Sequence, residues 1–408
     1  MKYFKNTELA KIYNVSEKSV RNWIQAARDG KLDLQLYEKE DKFWIANTTR
    51  NTALIEQQVE KGKKFKNSRA FKTVSPSKDF YAFYTQREIL DIISNLTIHH
   101  EVPTQYTYAD GAARYWDSYA NRLSAEESPN VLNRTLELLS SSEKSLDTFI
   151  EGYGKVNIVD LGPGNGLPIR PTIAKFLEEG RLNRYIAIDS SKEMLDILEQ
   201  NVKKWFKGKV KFEGYVLDFS YQRFDHLFTD DYARDEADAP INLVCLLGGT
   251  LSNFRSPSQT LQMVNQSMGI RDLLLYTAYL DTPATRRYFD FNTAQPNQKY
   301  RSELILEKMG IDDSLYSIEQ VFDEKKSARL ISIVPKIDLT VAFQLANGVR
   351  YVELKKNVPI LLWRHWHQKP VEMIREFDRG SFNILQLTQS RDQQYLIMIS
   401  NIKTNTQV

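Results

Sequence analysis

The sequence predicts an α/β chain built on a doubly wound parallel sheet, with a second α+β region and a small N-terminal helical module. Three observations carry that prediction. Residues 156–166 read VNIVDLGPGNG, strand-forming residues that run into an acidic group and then into Gly162, Gly164 and Gly166. Further apolar strand-like runs follow, separated by segments of helical spacing, the pattern of strands joined by helical crossovers. The charge is also divided unevenly: residues 1–78 hold 17 Lys and Arg against 9 Asp and Glu, and the rest of the chain 38 against 43. A basic front end on a mildly acidic body marks a separate module.

That module has its own periodicity. In NTELAKIYNVSEKSVRNWIQAARDGKL, Leu9, Ala10 and Tyr13 space as a short helix, and Asn14–Val15 make a turn. Ser16 is placed to cap a second helix whose inner face is Val20, Trp23 and Ile24, with Lys18, Arg21 and Asn22 pointing outward. DLQLYEKEDKFWI reads as a hairpin. Residues 1–56 thereby resemble the winged helix-turn-helix of MerR-type and excisionase-type DNA-binding modules. The resemblance implies DNA as a partner, with basic residues on the second helix neutralising phosphates. The same face also suits protein docking. Residues 57–78 are Lys-rich and interrupted by Gly62 and Pro76, the composition of a linker.

The body follows in order. Residues 79–150 form the first part of the second region. Val156, Ile158 and Val159 supply the first sheet strand, and the glycines let backbone approach a ligand that a Cβ would push away. Pro168–Leu177 has helical spacing in Ile169, Ile173, Phe176 and Leu177. RYIAIDSS (184–191) is a second strand ending in Asp189, and Ser191 caps a helix with Met194, Leu195, Leu198 and Val202 on one face. VKFEGYVLDF ends a third strand at Asp218–Phe219. INLVCLLGG (241–249), apolar as a strand covered on both faces should be, is a fourth, and LLLYTAYL (273–280) a fifth. The sheet domain spans 151–280, residues 281–355 return to the second region, and 356–408 supply strands that complete the sheet.

The acidic residues at the strand ends select the ligand. A carboxylate about 20 residues past a glycine turn reaches a ribose hydroxyl pair, and Asp189 stands there. Asp218 can accept from an exocyclic amine while Phe219 covers an adenine face. The plainer reading is that both carboxylates cap the segments that follow. The whole series resembles the class I S-adenosylmethionine methyltransferases. That resemblance implies S-adenosylmethionine as cofactor, held by Asp160, Gly162, Gly164, Gly166, Asp189, Asp218 and Phe219.

Several function classes are disfavoured. The single cysteine, Cys245, lies in an apolar strand, so a disulfide framework is excluded and a reducing compartment is favoured. No apolar run approaches the roughly 20 residues that cross a bilayer, and MKYFKNTELAK lacks a signal-peptide core, so a cytoplasmic enzyme without a membrane partner is expected. The chain has no Pro-Pro, which an amino-methylating DNA enzyme carries in its (Asn/Asp)-Pro-Pro-aromatic box, and Cys245 lacks the Pro-Cys setting of a cytosine-C5 nucleophile. His99–His100 precede a turn, and His365 and His367 alternate in WRHWHQK. No carboxylate or cysteine cluster joins them, so no metal is expected and the pair reads as part of a half-buried strand.

At the end of the fourth strand the chain reads LLGGTLSNF (246–254). This run, with the glycine loop and the long segment after the fifth strand, resembles the histidine-specific methyltransferase family over roughly residues 79–400. Members methylate the α-amine of histidine with S-adenosylmethionine. The resemblance implies that Asn253 and Tyr288 contact the substrate carboxylate, that Tyr108 lies near the substrate, and that Glu353 reads the imidazole. Where the family carries a serine beside that glutamate, this chain has Lys355, which only donates and is charged. No catalytic base is assigned. The expected activity is N-methylation of histidine or a related amino acid. The alternatives are methylation of a protein or peptide amine, and a DNA-binding regulator that uses the fold as a ligand sensor.

Overall fold

Residues 3–40, 42–70, 72–108, 112–232, 239–287 and 303–404 are described by the computed structural model of the chain. They divide into two units, 1–74 with 337–341 and 353–355, and the remainder.

In the first unit, β1 (Tyr3–Phe4), β2 (Leu36–Lys39) and β3 (Lys42–Ala46) form an antiparallel sheet in the order β1-β3-β2. Helices Asn6–Ile12 and Glu17–Arg28 precede the hairpin. Between them Asn14 takes φ 52°, a left-handed conformation that asparagine tolerates better than most residues. Ser16 Oγ then accepts from Ser19 N at 3.1 Å and caps the second helix. Leu9, Val20, Ile24, Leu34, Ile45, Ile55 and Val59 are the core, while Lys18, Arg21 and Asn22 are exposed.

Residues 57–70 are not a linker. They continue the helix Thr49–Ala70, and β4 (Lys72–Val74) follows, paired in parallel with Leu339–Val341. Lysine favours solvated chain and helix alike, and a lone glycine such as Gly62 costs a helix only about 1 kcal/mol. Composition therefore did not discriminate between the two.

The second unit opens with helices Lys78–Phe83, Gln86–Ile98, Ala112–Ala125 and Val131–Phe149. Five strands follow: β5 (Val156–Leu161), β6 (Leu182–Asp189), β7 (Phe212–Val216), β8 (Ile241–Leu246) and β9 (Leu273–Tyr279). They run parallel in the order β9-β8-β5-β6-β7. Every residue of β5, β8 and β9 is buried, as continuous apolar strands covered on both faces require. Alternate residues feed two cores. Val156 and Ile158 join Ile173, Leu198 and Val202 on one face, and Val159 and Leu161 join Leu261, Met373 and Phe377 on the other.

After β9 the chain forms β10 (Tyr316–Asp323), β11 (Ala328–Pro335), β12 (Leu339–Leu345), β13 (Gly348–Leu354) and β14 (Ile360–Trp366). β10, β11 and β14 make a separate antiparallel sheet, so β14 does not complete the central one. β15 (Phe382–Gln389) and β16 (Tyr395–Ile402) do: β16 pairs antiparallel with β9, and β15 with β16. The central sheet is therefore seven-stranded and mostly parallel, not wholly so. The third strand also stops at Val216, which leaves Asp218 and Phe219 on the loop beyond it. Among the described residues no helix is long and apolar enough to cross a membrane.

Candidate active site

The loop after β5 is shaped by three glycines with different tasks. Gly162, Gly164 and Gly166 take φ 64°, 56° and 83°, where any side chain would be strained. A Cβ on Gly162 would meet Thr250 Cγ2 at 3.0 Å, whereas the space above Gly164 is open. On Gly166 it would fall 2.4 Å from Leu198 Cδ1 and 3.4 Å from the Trp205 ring. Gly166 therefore packs the loop onto helix Lys192–Phe206 and does not line the cavity beside it.

That cavity lies at the carboxyl ends of the parallel strands, where an open α/β sheet binds ligands. Asp160, Gly162, Gly164, Asp189, Asp218, Phe219 and Asn253 all line it. Trp116, Tyr119 and Leu123 of helix Ala112–Ala125, and Leu132 and Thr135 of helix Val131–Phe149, form the facing wall. Phe219 meets Phe254 edge to face at 5.4 Å between ring centres, which fixes its plane at the rim.

The electrostatics are one-sided. Three carboxylates line the cavity, and none of its lining residues among those described is Lys, Arg or His. Burial pushes the Asp160 carboxyl up to about 7, partly offset by a 3.0 Å bond donated by Tyr185 Oη. Burial likewise pushes Asp189 up to about 6, with the Asp218 charge adding to it and the Ser191 amide opposing it. Asp218 is raised by burial too, against hydrogen bonds from Ser220. Burial thus makes each carboxylate costly to ionise, and a cationic ligand would relieve all three.

Sequence reading missed several contributors. Asn165, buried inside the glycine loop, accepts from Leu167 N at 3.2 Å and donates to Asp117 Oδ1 at 3.0 Å, which ties the loop to helix Ala112–Ala125. Trp116 and Tyr119, three apart on that helix, carried a helical-spacing signal in RYWDSY. His365 is not a bystander on a half-buried strand: it is buried, and its Nδ1 lies 3.2 Å from Asn253 Oδ1. Asn253 accordingly does not cap helix Pro257–Ser267, whose N-cap residue is Ser256. A smaller hollow adjoins the cavity, sharing Thr104, Gln105, Asn253 and Phe254, and contains Glu101, Arg255 and Arg364. Arg255 Nε donates to Glu101 Oε1 at 3.0 Å, and Arg364 donates to Oε2 of the same carboxylate.

Glu353 belongs to the first unit, where it is half exposed and paired with Lys355 at 3.0 Å. Tyr288 lies outside the described residues, and so does the side chain of Tyr108, which ends a short 3-10 turn. Cys245 is buried in β8, where burial pushes its thiol up, as core packing predicts. No group of metal-ligating residues gathers among the described ones.

Comparison with known families decides the assignment. Residues 91–361, two thirds of the chain, match the family described as histidine-specific, S-adenosylmethionine-dependent methyltransferases. The chain belongs to that family. Its cofactor is S-adenosylmethionine, and it is an S-adenosylmethionine-dependent methyltransferase. No curated protein sequence matches it.

Solved structures of similar fold include an S-adenosylmethionine-dependent methyltransferase from Clostridium acetobutylicum, 12% identical over 72% of this chain and 100% of that one, with a TM-score of 0.39. The CcbJ methyltransferase from Streptomyces caelestis is 11% identical over 73% of this chain and 98% of its own, with a TM-score of 0.36. A Burkholderia thailandensis 1,6-didemethyltoxoflavin-N1-methyltransferase is 12% identical over 76% and 94%, also at 0.36. At those scores the fold of this methyltransferase rests on its own sheet topology. The residues fit the cofactor: open space above Gly164, carboxylates that suit a cation, and an aromatic ring in the lining.

Proposed function

We propose that this methyltransferase transfers the methyl group of S-adenosylmethionine to the α-amine of histidine or a related amino acid. The charge of the cavity supports the cofactor, and the amide of Asn253 in its lining supports an acceptor that bears a carboxylate. Asp160, Asp189 and Asp218 would repel the pyrophosphate of a dinucleotide and suit a ligand with positive charge. S-adenosylmethionine supplies a methyl group already activated by its sulfonium. The residues of the chain bind and orient. Asp189 accepts from the ribose hydroxyls, Asp218 from the adenine amine, and Phe219 covers the base. Asp160 lends negative charge beside the glycine loop. Asn253 holds the substrate carboxylate and so fixes which nitrogen is presented for in-line attack. The facing wall of Trp116, Tyr119 and Leu123 excludes water.

The test is calorimetry with S-adenosylmethionine, followed by mass spectrometry of L-histidine and other free amino acids incubated with enzyme and cofactor. Methylated L-histidine or a close analogue is expected. Cofactor binding without methylation of any free amino acid would overturn the substrate assignment and leave a protein or peptide amine as acceptor.

The exposed Lys18, Arg21 and Asn22 on helix Glu17–Arg28, in a unit with a net basic sequence, support a second reading for residues 1–56 as a DNA-binding module. Gel shifts of the full chain on duplex DNA should give a salt-sensitive complex that weakens in a Lys18→Ala, Arg21→Ala double variant. An unchanged complex, or none, would reject it.

A further inference from the structure

Asn253 lines the cavity where LLGGTLSNF ends, and two hydrogen bonds tie that turn to β14. Trp366 Nε1 donates to Phe254 O at 2.7 Å, and His365 Nδ1 meets Asn253 Oδ1 at 3.2 Å. The imidazole is held tightly. It stacks on Trp363 with ring centres 5.8 Å apart at 16°, meets Tyr279 edge-on at 5.4 Å, and lies 5.1 Å from His367. Gly249, at φ 83°, lets the turn come close: a Cβ there would lie 3.5 Å from His365 Cε1 and 3.3 Å from the Tyr279 ring. Burial, with His367 beside it, pulls His365 well below its usual range, so the ring is neutral and carries one N–H. A carboxamide oxygen only accepts, so that hydrogen belongs on Nδ1.

We propose that His365 is a positioning residue whose Nδ1–H locks the Asn253 carboxamide with Oδ1 toward β14 and Nδ2 toward the cavity, so that Asn253 reads only hydrogen-bond acceptors and selects an amine substrate bearing a carboxylate. Among the described residues Asn253 Nδ2 has no protein partner, which leaves both its hydrogens for a ligand. A freely rotating carboxamide would present its oxygen as readily, and an ammonium would then bind where the carboxylate should. The lock forbids that reversed pose, so the amine rather than the carboxylate faces the methyl donor. The inference rests on the reading above for the role of Asn253, but the lock itself does not depend on the substrate.

Two measurements test it. The first is the tautomer of His365, read from its ring 15N shifts in the uniformly labelled full chain. Protonated Nδ1 with unprotonated Nε2, the minority tautomer of free histidine, is expected. The reverse would require Asn253 to offer Nδ2 to the ring, and would overturn the inference whatever the enzyme methylates.

The second measurement uses S-adenosylmethionine with L-histidine as acceptor. His365→Phe keeps a ring in the aromatic cluster but removes the donor. It should raise KM for the amino acid about tenfold, while cofactor affinity stays within about twofold of wild type. In His365→Asn the amide nitrogen falls near the lost Nδ1, and KM should return most of the way. Equal loss in both variants, or loss of cofactor affinity in step with KM, would reduce His365 to a packing residue. Failure of the wild-type enzyme to methylate L-histidine would instead sink the substrate reading, and the tautomer would still decide the lock.

Discussion

Asp189→Asn should make the cofactor-free enzyme more stable and its cofactor affinity weaker, two effects of opposite sign from one atom. Burial and the neighbouring Asp218 charge push the Asp189 carboxyl from 3.8 up to about 6. That is about 2 pH units, or roughly 3 kcal/mol at 1.36 kcal/mol per unit. The side chain is only partly buried and faces the cavity, so water screens it, and about half that figure, ~1.5 kcal/mol, is the expected gain. Asparagine keeps an oxygen to accept from Ser191 N, now 2.8 Å from Asp189 Oδ1, so the local turn survives. What it loses is the charge on the hydrogen bonds to the ribose, worth about 2 kcal/mol, or roughly 30-fold in Kd.

Urea denaturation at about pH 8 and calorimetry with S-adenosylmethionine measure the two terms. The stability gain should vanish below about pH 4, where the wild-type carboxyl is protonated in both states. If Asp189 served only to cap the segment after β6, asparagine would cap equally well and Kd would not move. A Kd within about twofold of wild type would refute the reasoning.

Gly166→Ala should destabilise the enzyme by about 2–4 kcal/mol, since it forces a left-handed alanine and drives its Cβ against Leu198 with Trp205 behind, and urea denaturation would show it. At Gly164 the space is open, so Gly164→Ala should meet the same backbone strain, about 1–2 kcal/mol, without the clash, and weaken cofactor binding instead. Asn253→Ala should raise the amino-acid KM about tenfold or more and leave the cofactor Kd near wild type; equal loss of both would make Asn253 structural. The raised carboxyls also set a pH dependence. Asp160 and Asp189 hold protons more tightly folded than unfolded, so the stability they contribute is present below about pH 4 and falls as pH rises through about 6 to 7. Melting curves across that window should show the fall in wild type, a smaller one in Asp189→Asn, and a smaller one again with S-adenosylmethionine bound.

Most of the cavity lining at the strand ends was legible in the sequence because it is local. A strand, a glycine turn and a carboxylate at each strand end are written in consecutive residues, and the sheet needs only period and hydrophobicity to place them. Gly166 shows where that stops: its conformation could be read from the loop, but its packing partner, Leu198, sits a helix away. The surroundings of Asn253, proposed to meet the substrate, were less legible because they are assembled from distant segments. Asn253 could be picked out of its turn, yet nothing near it in sequence names His365 as its partner, more than a hundred residues on. Helix Thr49–Ala70 failed for another reason, since a lysine-rich stretch without an apolar stripe satisfies helix and solvated chain equally.

In the proposed function an amide, Asn253, and not a guanidinium, would meet the substrate carboxylate, and the charge of the cavity gives a reason. An arginine would bind a carboxylate more strongly, and two stand next door, Arg255 and Arg364. But a bare cation in the cavity would weaken the binding of a sulfonium. Two unit charges about 6 Å apart at an effective dielectric constant of about 20 repel by roughly 3 kcal/mol, enough to weaken the cofactor more than a hundredfold. Glu101 takes a hydrogen bond from each of the two guanidinium groups, which holds them in the adjoining hollow. In the proposed reading carboxylate recognition then falls to a neutral donor, and a neutral donor discriminates only if its two ends cannot exchange. The proposed lock by the buried imidazole of His365, 3.2 Å from Asn253 Oδ1, would meet that requirement and give the residue a reason to be both histidine and buried.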